Sequence, residues 1–93
     1  MSAPLDDLTT FLGSIPGDEY DVRSRIRTCR NAAAFKVTRT DSADARQLCW
    51  MVTETATAWI YTPARVDELE KVVIYLRDML RNAGRIEHLE AMA

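Results

Sequence analysis

Three glycines, three prolines, two cysteines and one histidine are all that this 93-residue chain holds of the residues that build catalytic loops, disulfide frameworks and metal sites. So few glycines leave little loop on which to mount an active site, and the chain has neither a Gly-rich phosphate loop nor a Gly-Xaa-Ser-Xaa-Gly elbow. Ser14, Ser24 and Ser42 read as turn and cap residues, and His88 has no nucleophile and acid set beside it. Cys29 and Cys49 fall short of a disulfide framework. Both lie on apolar stripes and read as small buried hydrophobes. With one histidine and no second cysteine pair, a zinc site lacks its ligands. The expectation is a protein that is not an enzyme and needs no metal or cofactor.

Long apolar runs are missing as well. Nothing approaches the ~18 residues of a spanning helix, and the opening MSAPLDDL is acidic, unlike a secretory signal. An apolar fraction of 47% and a charged fraction of 28% are ordinary for a globular protein. The reading is one domain over 1–93 with a single modest core, in a reducing, cytoplasmic setting.

What the chain does have is charge laid out in blocks. Met1 to Val22 carries five acids and no base, whereas Arg23 to Arg46 carries seven bases against Asp41 and Asp44. At helical spacing Arg23, Arg27 and Arg30 line one flank, with Arg25 on the other. Three planar forks in a row grip phosphates or carboxylates bidentately. The ligand is then nucleic acid or a nucleotide, an acidic protein, or the chain's own Asp6, Asp7, Asp18, Glu19 and Asp21. A net charge of −2 argues against general nucleic-acid affinity.

Periodicity predicts helices throughout. Pro4 opens a short one through Leu12, and Gly13-Ser14-Ile15-Pro16-Gly17 stops it. Asp18 is the expected N-cap of a second helix to Phe35, with Val22, Ile26, Cys29 and Ala33 as its stripe. The run 35–40 alternates and favours strand, which leaves a two-stranded element with 58–62 open beside a helical continuation. Asp41 or Ser42 caps a helix over 41–61; Thr62 and Pro63 are expected as N-cap and first residue of a helix over 63–83, stopped by Gly84. Its stripe Val66, Leu69, Val73, Leu76, Leu80 doubles as a short heptad seam, so it serves either the bundle or self-association. The fold expected is all-α: a bundle of three to four helices in which 41–61 and 63–83 form a tight hairpin.

The segment Asp41 to Thr62 is the most telling, being apolar on two faces. Ala45, Leu48, Cys49, Val52, Ala56, Trp59 and Ile60 form one stripe; Trp50, Thr57 and Tyr61, around Glu54, form the other. A chain this small covers one face with its own helices, so the second is a candidate partner surface. Amphipathic aromatics such as Trp50 and Tyr61 are common interface anchors, and Ile74 and Tyr75 add to the same view. Glu54, were it buried, would need a basic partner such as Arg39 or Arg46.

In size and plainness the chain resembles the small accessory proteins that phages and mobile elements use to block host factors, including anti-defence inhibitors. That resemblance implies a stoichiometric inhibitor, adaptor or regulator that works by protein–protein contact. Homodimerisation is a separate expectation, from the two apolar faces of 41–62. The alternative is a small nucleic-acid or nucleotide binder using Arg23, Arg27 and Arg30.

Overall fold

The computed structural model describes residues 16–93. They form three helices: α1 (Pro16–Val37), α2 (Ala43–Tyr61) and α3 (Val66–Met92). The helix expected before Gly13 lies outside the described residues. Arg23 near the start of α1 meets the carbonyls at the end of α2, and Lys36 near the end of α1 meets Glu87 near the end of α3. So α1 and α3 run parallel and α2 runs against both. No strand occurs among the described residues. The alternation at 35–40 gives way because Val37 extends the helical stripe of α1 onto the core, and Trp59 and Ile60 do the same for α2.

The core is built from the stripes read in the sequence. Val22, Ile26, Cys29 and Ala33 of α1 meet Ala45, Cys49, Val52, Ala56 and Ile60 of α2 and Leu69, Val73, Leu76, Met79 and Ala83 of α3, all buried. Leu48, Trp59, Val66 and Leu80 pack against this cluster half-buried. The expected self-association seam is thereby consumed. Leu69 and Leu76 are fully buried and Val73 nearly so, with Val66 and Leu80 at their edges. Once a third helix can be laid along it, an apolar stripe buries within the chain, where no association entropy opposes it.

Three of the expected boundaries move, and one cap is decided between two candidates. Asp18 is not the N-cap of α1: the helix begins at Pro16, placing Asp18 and Glu19 in its first turn, where the dipole favours acids. Ser42, of the two expected caps, takes the N-terminus of α2, its hydroxyl accepting from the Ala45 N–H at 3.1 Å. Thr62 and Pro63 do not open α3. Thr62 is pushed to extended backbone (φ −72°, ψ 127°) by the proline after it and ends α2. An antiparallel reversal needs a connection of a few residues, so α3 starts after Arg65. Arg65 offers no acceptor at the N-cap. Instead Glu68 accepts from the Arg65 N–H (3.2 Å), and the Arg65 guanidinium pairs with Asp67 at 2.6 Å, holding that carboxyl down to about 2.

The last difference is the largest. α3 passes through Gly84 and continues to Met92, because Ile86 still packs on the core and Glu87 and Glu90 reach the α1–α2 loop. A Cβ built on Gly84 meets nothing within 4 Å, and its φ is not positive. The glycine there costs helix propensity without a packing return. Gly84→Ala is expected to stabilise the fold by about 0.5–1 kcal/mol, read as a thermal midpoint raised by roughly 4 °C.

Candidate interaction surface

The face of α2 opposite its core stripe is uncovered among the described residues. Trp50 is 50% exposed and Tyr61 75% exposed, with Glu54 and Thr57 exposed between them. These residues step by four, three and four along one face of the helix. The Thr53 and Thr57 hydroxyls each donate to the carbonyl four residues back, at 2.8 Å, so the helix itself satisfies their polarity. Glu54 is exposed and makes no ion pair with Arg39 or Arg46, whose side chains serve elsewhere. The two-faced reading of this segment therefore matches the positions of its residues.

The arginine row is divided. Arg23 is not available to a ligand: its side chain is 17% exposed and its guanidinium donates to the carbonyls of Trp59 (3.0 Å) and Ile60 (2.7 Å) while pairing with Glu19 (3.4 Å). α2 has no base of its own in its last turn, and Arg23 supplies the positive charge that its carbonyl end attracts. Arg25 pairs with Asp21 at 2.6 Å. The in-chain acids thus account for two of the arginines, although Asp6 and Asp7 lie outside the described residues. Arg30 contacts only the Asn31 side-chain oxygen, at 3.4 Å, and Arg27 has no side-chain partner among the described residues. Two forks remain where the sequence suggested three.

The bundle brings these two arginines beside the aromatic face. The Arg23 contact sets the register: each step along α1 is matched by a step back along α2. Arg30, seven residues on from Arg23, is level with Thr53, seven back from Ile60; Arg27, four on, is level with Ala56, next to Thr57. Asp21 and Arg25 of α1 line a groove with Val66 and Glu70 of α3, which marks that flank as the α3 side. The hand of the helix then leaves Thr53 and Thr57 on the α1 side of α2, with Trp50 just beyond. Trp50, Glu54, Thr57, Arg27 and Arg30 share one surface.

Two features escaped the sequence reading. Tyr20 and Phe35 are exposed on α1, and the Arg39 guanidinium covers the Phe35 ring 3.5 Å from its centroid. Their position off the α1 stripe was legible at 100° per residue. The second feature was not. At the end of the bundle Lys36 pairs with Glu87 (2.5 Å), the Ser42 hydroxyl donates to Glu90, and a cleft of about 380 Å³ opens between the α1–α2 loop and α3. Residues some fifty apart in sequence meet there. The Lys36 ammonium and then the Thr40 hydroxyl hold the Glu87 carboxyl below its ordinary value.

A carboxyl depressed in this way stabilises the fold above its unfolded-state pKa and loses that contribution as the pH falls through its lower folded-state value. The thermal midpoint is accordingly expected to drop on acidification below pH ~4.5. In Lys36→Met, scanned in parallel, the acid-induced drop should be smaller. Cys29 and Cys49 are free thiols in the core, and burial pushes both up in pKa, away from the reactive thiolate. No helix among the described residues is long and apolar enough to cross a membrane. No protein-family model, curated protein or solved structure matches the chain.

Proposed function

We propose that this protein is a non-catalytic interaction module that acts stoichiometrically as an inhibitor, adaptor or regulator, in the manner of phage and mobile-element accessory proteins. The observation that carries the reading is the surface of Trp50, Glu54, Thr57 and Tyr61. Large aromatics stand exposed there although the core of the same helix is already filled. Exposed amphipathic rings with a charge between them are the usual centre of a protein-binding patch. In support of a non-catalytic reading, three polar side chains that line the bundle-end cleft are already engaged: Ser42 with Glu90, and Glu87 with Lys36. Two buried free thiols fit a reducing, cytoplasmic setting.

The test is capture from host lysate on the immobilised chain, beside a Trp50→Ala, Tyr61→Ala variant confirmed helical by circular dichroism. One protein retained at a fixed ratio by the wild type and lost by the variant supports the reading. Equal retention by both overturns it. The nucleic-acid alternative rests on Arg27 and Arg30 alone, since Arg23 is committed to α2. Two phosphate contacts predict that affinity for labelled single- or double-stranded DNA or RNA falls about tenfold between 50 and 200 mM salt. Arg27→Ala, Arg30→Ala would abolish it.

A further inference from the structure

We propose that the outer face of α2 receives a second copy of itself, the two α2 helices packing antiparallel across a two-fold axis. This deepens the reading of that face as a protein-binding surface and rests on it. The face is self-complementary in residue spacing and charge. The midpoint between Trp50 and Tyr61 falls between Glu54 and Thr57, which lie equally far on either side. A two-fold axis at that midpoint sets Trp50 against the partner copy's Tyr61 and sets Glu54 level with the partner copy's Thr57. The register that Arg23 imposes sets Arg27 level with Ala56, next to Thr57, across the α1–α2 groove. Each Glu54 carboxylate therefore arrives next to an Arg27 guanidinium of the other copy, twice over by symmetry.

Neither group has an ion-pair partner among the described residues, whereas Arg23, Arg25, Lys36, Arg65 and Arg81 do. Unpaired opposite charges one turn apart across a closing axis are what electrostatic complementarity requires. The α3 seam supplies no rival interface, because Leu69, Val73 and Leu76 are spent inside the bundle. A single helix pair buries less than the ~1,200 Å² of a stable interface, so the dimer is a weak one, dissociating in the micromolar range.

Light scattering from ~1 μM to ~1 mM tests it. The wild-type mass is expected to climb from monomer toward dimer. Glu54→Arg and Arg27→Glu singly are each expected to weaken the dimer at least tenfold, and the double variant Glu54→Arg, Arg27→Glu to restore it to within about threefold. Both sites are on the surface, and circular dichroism checks that each variant keeps its helices. A monomer at every concentration overturns the proposal and leaves the face to a different protein or to residues 1–15 of the same chain. A dimer that ignores the single replacements, or one that the double variant fails to rescue, overturns it as well. If the charge swap behaves as expected but Trp50→Ala, Tyr61→Ala captures the same host protein as wild type, the dimer stands and the proposed function falls. If the swap has no effect while that variant loses its host protein, the reverse holds.

Discussion

Replacing Leu76 with alanine is expected to lower the unfolding free energy by about 3 kcal/mol. The side chain is fully buried in the core cluster that all three helices share, and both the lost apolar transfer and the cavity left behind count against the variant. A domain of this size holds roughly 5–10 kcal/mol in total. The loss is therefore a large fraction of its stability, visible as a urea midpoint displaced without a change of slope. The shift should be the same at every protein concentration. That invariance is the diagnostic point. Were the Val66–Leu80 stripe an intersubunit seam, the variant's deficit would grow as the chain is concentrated, because the wild type would gain more stability from association by mass action.

Arg23→Ala is expected to cost about 2–3 kcal/mol although it removes a charged side chain from the flank of a helix. Hydrogen bonds from a charged donor contribute roughly 1.5–3 kcal/mol each, and two are lost, to the carbonyls of Trp59 and Ile60. The methylene stem, packed with only 17% of the side chain exposed, is lost with them. Part of the deficit returns as water reaches the freed carbonyls. Lysine at the same position keeps a charge for the carbonyl end of α2 but presents a single ammonium, and should fall between wild type and alanine. Chemical denaturation of the three proteins measures the order. If Arg23→Ala matched wild type, the cap would contribute nothing and the register built on it would lose its support. The same contact bears on function. A triple arginine replacement would damage the fold and mimic loss of a ligand, so tests for phosphate binding need Arg27 and Arg30 by themselves.

The acid effect at Glu87 and the gain at Gly84→Ala are smaller, but both probe the part of α3 least visible beforehand. The helix past Gly84 had weak local warrant: a glycine, then Ile86, Leu89 and Met92 among charges. Its continuation depends on Lys36, Thr40 and Ser42, which come from the opposite end of the chain's middle third. No window of neighbouring residues contains that information.

Residue spacing alone determined that this protein is helical, which stripe of each helix is apolar, that Ser42 was one of two residues able to cap α2, and that α2 carries a second face its own core does not need. Those properties are local: period, cap chemistry and the exclusion of helix before proline act within a few residues. Tertiary structure decided where each stripe was spent. It placed the α3 seam inside the bundle, took Arg23 from the presumed ligand grip to close α2, carried α3 through Gly84, and set Arg27 and Arg30 beside Trp50 and Glu54. These outcomes turn on which helix lies against which and in what register, a long-range choice made by burying the most apolar surface at once. Spacing made the uncovered face of α2 legible; only the packing shows which charges stand next to it.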